Sequence, residues 1–121
     1  MYLCVKFLCA MVQSKTELFD VELQEHAELF KAMSHPARLA ILKYLAETRT
    51  CITGDITDEV PLGRTTVNQH LKELKKAGLI QGTINGSRTN YCLNGSRIAE
   101  FKEMILKLFE DFEDGLKNSC C

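Results

Sequence analysis

The chain has 121 residues, of which 45% are hydrophobic, and this combination predicts one domain with a single core and no second domain. The formal net charge of -1 conceals an uneven distribution. Residues 64–88 carry five basic side chains and one acidic one, a net charge of +4, whereas residues 1–63 and 89–121 carry -3 and -2. A total near zero therefore does not exclude a polyanionic partner, because local potential governs such contacts.

The first residues, MYLCVKFLCA, are apolar but too short to span a membrane, and they lack the basic start and cleavage site of an export signal. We therefore expect a cytoplasmic protein with no membrane partner. Residues 1–15 are interpreted as an N-terminal extension, with Met11 as an alternative start. The six cysteines are then expected to be thiols, metal ligands or core residues rather than a disulfide framework.

Three helices are predicted in the first half of the chain. Residues 16–33 form the first, with apolar side chains at helical spacing. The stretch MSHPARLAILKYLAE begins another, with Ser34 as its N-cap and Pro36 in its first turn. TCITGDITDEV predicts a short third helix that ends at Pro61 and Gly63. The residues PLGR are then a tight turn between two helices.

The stretch RTTVNQHLKELKKAGLI, residues 64–80, predicts an amphipathic helix that runs into a strand. Its apolar stripe is Val67, Leu71 and Leu74. The rest of its surface carries side chains that can bind nucleic acid, namely Arg64, Thr65, Asn68, Gln69, Lys72, Lys75 and Lys76. Amides can bond adenine edges, and lysines neutralise phosphates. For an isolated helix, a solvated surface is the more common interpretation of such a face.

The neighbouring elements favour DNA binding instead. GLIQGTI and TNYCL predict two strands joined by NGSR, whose Asn-Gly step indicates a hairpin. A short helix, a turn, a second helix and a hairpin occur in the order of a winged helix-turn-helix. Arg88, near the hairpin tip, is expected to enter the minor groove or hold a phosphate. The predicted fold is mainly α with a small β-hairpin.

A long last helix is predicted from about residue 95 to residue 114. The spacing of 3, 4, 3 and 4 residues between its apolar positions predicts a heptad-like seam made of Ile98, Phe101, Ile105, Leu108 and Phe112. Further apolar residues on this helix exceed what packing on one core needs. We therefore expect residues 95–121 to contain a dimerisation helix and a cysteine-containing tail, and the chain to form a homodimer.

The stretches HPARLAILKYL, TTVNQHLKELKKAGLI and NYCL resemble the ArsR/SmtB family of bacterial winged-helix repressors, from about residue 17 to residue 114. The resemblance implies a homodimer that leaves its operator when an inducer, usually a metal or metalloid ion, binds. It assigns DNA reading by position to the second helix of the motif and adds Thr66. The DNA-binding set is then Arg64, Thr65, Thr66, Asn68, Gln69, His70, Lys72, Lys76 and Arg88. For His70, which lies about 60° from the apolar stripe, packing and phosphate contact are both open.

The family's two inducer sites are incomplete in this sequence. Zinc-type sites use Asp and His on the last helix, but residues 95–121 contain no histidine. Arsenic-type sites use Cys-x-Cys at the start of the third helix, and here Cys51 is present while Thr53 stands near the second position. Trivalent arsenic takes up to three sulfur ligands, so the candidate inducer ligands are Cys51, Cys120 and Cys121, with Cys4 and Cys9 as further thiols. Cys92 is interpreted as a core or sheet residue.

The leading hypothesis is a repressor released by a thiophilic inducer, with arsenite as the first choice and no cofactor required for DNA binding. A second is a redox sensor in which cysteines form a disulfide or polysulfide without a metal. A third is a winged-helix module that binds an acidic protein. No Ser/His/Asp, Cys/His or paired-carboxylate grouping indicates an enzyme.

Overall fold

The computed structural model of the protein describes residues 18–48, 51–53, 60–85 and 88–117, without the side chains of residues 53, 85, 88 and 89. In chain order the elements are α1 (Val21–Met33), α2 (Pro36–Thr48), β1 (Ile52–Thr53), α3 (Arg64–Lys76), β2 (Ile80–Asn85), β3 (Arg88–Leu93) and α4 (Gly95–Lys117). The chain divides into two compact units between residues 31 and 32. Most of α1 lies in the first unit. None of the helices in the described ranges is both long and apolar enough to cross a membrane.

Helix α1 begins later than its apolar spacing predicts. Asp20 is the N-cap: its Oδ1 accepts the backbone N–H of Glu22 at 3.1 Å, and its carbonyl oxygen accepts that of Gln24 at 3.0 Å. A carboxylate is favourable at this end because it satisfies otherwise unpaired N–H groups. The predicted helix is therefore wrong at residues 18–20, and residues 16 and 17 lie outside the described part. Several apolar side chains of the predicted stripe are exposed, namely Leu18, Phe19, Leu23 and Phe30.

Helix α2 is capped by His35 rather than by Ser34. The Nδ1 atom of His35 accepts the backbone N–H of Ala37 at 3.0 Å. Pro36 lies in the first turn, as expected, and occupies the first helical position, where its missing N–H costs nothing. The inward face of the helix carries Ile41, Leu42 and Leu45, all buried.

The strands form one antiparallel sheet in the order β1-β3-β2. The predicted hairpin is confirmed, with Asn85 opposite Arg88 as its last pair. Ile52 pairs with Tyr91, so the predicted third helix is wrong at residues 52 and 53, and residues 54–59 lie outside the described part. Gly82 has a φ of +126°, and a Cβ there would lie 2.0 Å from the carbonyl oxygen of Asn90. Only glycine permits this close approach of β2 to β3.

The core of the second unit lies between α2, α3 and the sheet. Helix α3 packs against α2 and β2, and α2 also contacts β3. The side chains that are at most 2% exposed are Ile41, Leu45, Val60, Val67, Leu71, Leu74, Leu79, Ile80 and Tyr91. Burying one aliphatic side chain of this size contributes roughly 1.5–3 kcal/mol. This burial fixes which face of α3 remains in contact with solvent.

The ends of α3 and α4 are determined by local hydrogen bonds. Gly78, at φ +85°, follows α3, and its N–H donates to the carbonyl oxygen of Lys75 at 2.9 Å. The N–H of Leu79 donates to the carbonyl oxygen of Leu74 at 3.0 Å, which completes a Schellman motif. Asn94 then caps α4, because its Oδ1 accepts the backbone N–H of Arg97 at 3.3 Å. Helix α4 begins where predicted and extends three residues beyond the predicted end.

Candidate nucleic-acid interface

The outward face of α3 carries most of the side chains predicted to contact DNA. The exposed ones are Arg64, Thr65, Thr66, Gln69, Lys72 and Lys76, and Asn68 is half-buried. The predicted apolar stripe of Val67, Leu71 and Leu74 is at most 2% exposed. Burial of the stripe therefore holds amide, hydroxyl and cationic groups together on the opposite side. We refer to this side as the basic face.

Electrostatics on the basic face is dominated by cations. Arg64, Lys72, Lys75 and Lys76 are exposed, and Glu73 is the one acidic side chain of α3. Two of the lysines lie in the last turn, where the negative end of the helix dipole also favours them. The lysines therefore stabilise the C-terminal end of the helix and also contribute to a positive surface that can bind a polyanion.

The start of α3 is open to an anionic ligand. Gly63, the N-cap, has an extended backbone and forms no side-chain cap. Its carbonyl oxygen accepts the N–H of Val67 at 3.0 Å, and nothing lies within 4 Å of the place where a Cβ would stand. Backbone N–H groups at such an end attract phosphate, and exposed Arg64 lies at the same end of the helix.

His70 does not belong to the basic face. It is 8% exposed, and its Nδ1 accepts a hydrogen bond from Nε of Arg38 at 3.0 Å. The ring of His35 lies 4.4 Å away between centroids, and Arg38 also donates to the carbonyl oxygen of Ala32 at 3.1 Å. Of the two open interpretations, the structure favours packing, and we remove His70 from the DNA-binding set.

The surroundings of His70 disfavour its protonated form. Burial lowers the pKa of His70 most, and electrostatic interactions with His35 and with the Arg38 guanidinium lower it further. The hydrogen bond from Arg38 uses the atom that a second proton would occupy, so a neutral ring matches the contact. Sequence patterns did not indicate this link between α2 and α3, because it joins residues 32 positions apart.

The wing consists of β2, β3 and the two residues between them. Register places Arg88 in the last strand pair before the loop, at the end of the hairpin where a winged-helix protein approaches DNA. The DNA contact of Arg88 stays a prediction.

The described cysteines are closer to each other than the sequence indicated. Cys51 is exposed and Cys92 is partly exposed, and the register that pairs Ile52 with Tyr91 brings Cys51 opposite Cys92. Cys51 therefore precedes a strand rather than starting a helix. The other predicted thiols lie outside the described residues, namely Cys4, Cys9, Cys120 and Cys121. Within the described part of the chain, no group of three His, Cys, Asp or Glu side chains is placed to hold a metal ion.

The predicted seam on α4 is only partly exposed. Phe101 is 4% exposed and belongs to the core, so its assignment to a dimer interface is wrong. Ile98, Ile105 and Leu108 are half-buried, and Phe112 is exposed. The other exposed apolar side chains on this helix are Leu106, Phe109 and Leu116. The apolar surface that α4 leaves uncovered therefore lies mainly in its second half.

A basic helix packed on a small sheet and followed by a hairpin wing defines a winged helix-turn-helix protein. Residues 33–83 match the model of a protein family that is described as a helix-turn-helix domain. An uncharacterised HTH-type transcriptional regulator of Methanocaldococcus jannaschii is 35% identical over 85 residues, which cover 70% of this chain and 96% of that protein. The HTH-type transcriptional repressor SmtB of Mycobacterium tuberculosis is 35% identical over 72 residues, which cover 60% of this chain and 53% of that protein.

Two solved structures share the fold. An ArsR-like transcriptional regulator from Rhodococcus sp. RHA1 superposes with a TM-score of 0.61 at 20% identity, over 79% of this chain and 90% of that chain. The homodimeric winged helix-turn-helix DNA-binding domain of a possible ArsR-family regulator from Mycobacterium bovis superposes with a TM-score of 0.51 at 25% identity, over 86% of this chain and 94% of that chain. The chain belongs to the ArsR/SmtB family of winged helix-turn-helix transcriptional regulators, and this family membership makes it a regulator rather than an enzyme.

Proposed function

We propose that the protein is a sequence-specific, DNA-binding transcriptional repressor that reads its operator with the basic face of α3. The observation that carries this proposal is the division of α3 into a fully buried apolar stripe and an exposed face of amides, hydroxyls and cations. Base edges in the major groove can form hydrogen bonds with amides and hydroxyls, and phosphates on the rims of the groove can pair with cations.

Each part of α3 has a distinct proposed role. An α-helix with its side chains is about 10–12 Å across, and the major groove is about 12 Å wide, so the 13-residue helix fits within it. Thr65, Asn68 and Gln69 in the first turns would meet base edges, and Lys72 and Lys76 would neutralise phosphates. Arg64 and Thr66 would anchor the helix start. Arg88 on the wing would meet the adjacent backbone or minor groove.

We further propose that the repressor is a homodimer joined through α4. The relative from Mycobacterium bovis is homodimeric, and α4 of this chain carries exposed apolar side chains that a monomer would leave in water. Ile105, Phe109, Phe112 and Leu116 are spaced 4, 3 and 4 residues apart and form the revised seam. A two-fold axis would present two α3 helices to two half-sites.

Selection of bound sequences from a random DNA library by the purified protein tests this proposal. An inverted repeat with half-sites about one helical turn apart, some 10 base pairs, is the expected outcome. Affinity for that repeat should exceed affinity for scrambled DNA and should fall steeply as salt increases. Equal, weak binding to all sequences would instead favour a module that binds an acidic protein.

For release from DNA, we propose a signal read by cysteine thiols, with arsenite as the inducer. Cys51 is exposed, but the described residues bring only Cys92 near it, and trivalent arsenic prefers three sulfur ligands. A complete arsenic site would therefore need sulfur from a further cysteine, with Cys120 and Cys121 as the first candidates and Cys4 and Cys9 as the next. In the variant Cys120→Ser/Cys121→Ser, DNA affinity should stay unchanged and arsenite should no longer release the operator. Release of a variant lacking Cys51, Cys120 and Cys121 would contradict this assignment.

A further inference from the structure

Three side chains form a row across the sheet. Ile52 pairs with Tyr91 in the antiparallel β1–β3 ladder, so the preceding residue, Cys51, faces Cys92. On the other side of β3, Cys92 pairs with Gln81 of β2, and Nε2 of Gln81 lies 4.0 Å from its Sγ. We call these three side chains the thiol row.

The thiol row lies on the solvent side of the sheet. Neighbouring residues of a strand face opposite sides, and Tyr91 is 0% exposed on the core side. Cys51 and Gln81 are exposed, and Cys92 between them is partly exposed. Small redox-active molecules therefore have access to both sulfur atoms.

The two thiols also influence each other. Hydrogen bonding with Cys92 raises the pKa of the exposed Cys51 thiol most, and desolvation and the nearby Cys92 charge raise it further. Opposed residues in an antiparallel pair have Cα atoms about 4.5–5.5 Å apart, and disulfides form at Cα separations of roughly 4.4–6.8 Å. Continuing the Ile52–Tyr91 register by one residue would therefore place the two Cα atoms within the range of a disulfide.

We propose that Cys51 and Cys92 form a reversible thiol/disulfide redox site on the solvent face of the sheet. A peroxide is the oxidant. The Cys51 thiolate attacks a peroxide oxygen, the O–O bond breaks, and a sulfenic acid and an alcohol or water are formed. The Cys92 sulfur then attacks the Cys51 sulfur and displaces water. In total, two thiols lose two protons and two electrons, and the peroxide is reduced by the same two electrons.

Oxidation matches this pair better than ion binding does. Two sulfur atoms complete a disulfide, whereas no third His, Cys, Asp or Glu is placed beside them among the described residues. The resulting bond would join the segment before α3 to the central strand of the sheet, which also forms one side of the wing. Formation of the disulfide is independent of whether the protein binds DNA.

Peroxide treatment of a full-length parent variant tests the redox site. This parent keeps only the two thiols in question and carries Cys4→Ser, Cys9→Ser, Cys120→Ser and Cys121→Ser. After brief treatment, alkylation and peptide mass spectrometry should show loss of both free thiols and one intramolecular 51–92 crosslink, which dithiothreitol reverses. The rate should rise about tenfold per pH unit near neutrality, because the reactive species is the thiolate.

Matched controls distinguish a specific Cys51–Cys92 redox site from nonspecific oxidation of surface thiols. Adding Cys51→Ser or Cys92→Ser to the parent variant should abolish the intramolecular crosslink, while circular dichroism should show an unchanged fold. In the wild-type chain, the same 51–92 peptide should dominate over pairs with the other cysteines. The proposal is overturned if both thiols stay open to alkylation after peroxide, or if arsenite protects them while peroxide forms no crosslink.

Discussion

Helices α3 and α4 are both amphipathic, yet they place their apolar residues differently. In α3 the apolar stripe of Val67, Leu71 and Leu74 is at most 2% exposed. In α4 Phe101 is buried, whereas Phe109 and Leu116 are 55% and 71% exposed. Helix α3 leaves only cationic, acidic and polar side chains in water, whereas α4 leaves large apolar side chains there beside its charged ones.

This difference indicates two kinds of partner for the two helices. An exposed cationic face costs little in water and gains energy when it replaces counterions on a polyanion. An exposed aromatic face is unfavourable in water and gains energy when a second apolar surface covers it. The proposed assignment of DNA to α3 and of a second copy of the chain to α4 therefore follows from what each helix leaves uncovered.

The largest expected effect comes from a charge placed in the uncovered face of α4. Phe109→Glu should weaken dimerisation by at least about 2–4 kcal/mol, because an aromatic contact is lost and a carboxylate is buried on both sides of the two-fold axis. Sedimentation equilibrium should show monomers with unchanged helix content, and operator affinity should fall with dimerisation. Lys107→Glu, on the opposite side of the same helix, is the control and should remain dimeric. A dimeric Phe109→Glu variant would place the interface elsewhere, with the exposed residues of α1 as the next candidates.

Helical spacing predicted the buried face of α3 but not the uncovered part of α4. A short helix on a core buries one stripe along its whole length, so the 3.6-residue period identifies Val67 and Leu74 directly. A helix of 23 residues extends beyond the core that it packs on. Spacing then cannot show where burial ends, which is why Phe101 was assigned to the seam and Phe109 was left out.

The other differences between prediction and structure have separate physical causes. Strand β1 has only two residues, too few to show an alternation of apolar and polar side chains. Its partner strand, β3, is also distant in the sequence. The contact between Cys51 and Cys92 was therefore not predictable. The cap of α2 could have been predicted, because proline at the first helical position makes the preceding residue, His35, the N-cap. Residue preference alone favours Ser34.

The next effect concerns base reading by α3. Gln69→Ala should weaken binding to the selected operator by about 1–3 kcal/mol and relax preference at one or two base pairs, because an amide reads base edges. Binding to random DNA should hardly change. Fluorescence anisotropy on both DNAs measures the difference. Gln81→Ala, an exposed glutamine on β2, is the matched control, and equal losses by Gln69→Ala on both DNAs would contradict base reading.

A smaller, sequence-independent effect is expected from the lysines of the basic face. Lys76→Ala should weaken binding to operator and random DNA by the same factor, because it removes a phosphate contact. The slope of log affinity against log salt should become less steep by about 0.9. Lys107→Ala on α4 removes the same charge away from the basic face and should leave the slope unchanged. If both variants changed the slope equally, net charge rather than a located surface would govern binding.

The smallest expected effect is a pH dependence of the free energy of unfolding that arises from His70, the polar side chain on the buried face of α3. The pKa of His70 is lowered in the folded protein by burial and by His35 and Arg38, whereas the unfolded chain has the ordinary value of about 6.5. Above that value His70 is neutral in both states. As the pH falls below it, the unfolded chain gains the proton first, so the free energy of unfolding should decrease until the folded pKa is reached. Urea titrations at pH 7.5 and 5.5 should show this loss for the wild type and a smaller one for His70→Gln, whose amide oxygen can still accept from Arg38. An undiminished loss in His70→Gln would assign the pH effect to another group.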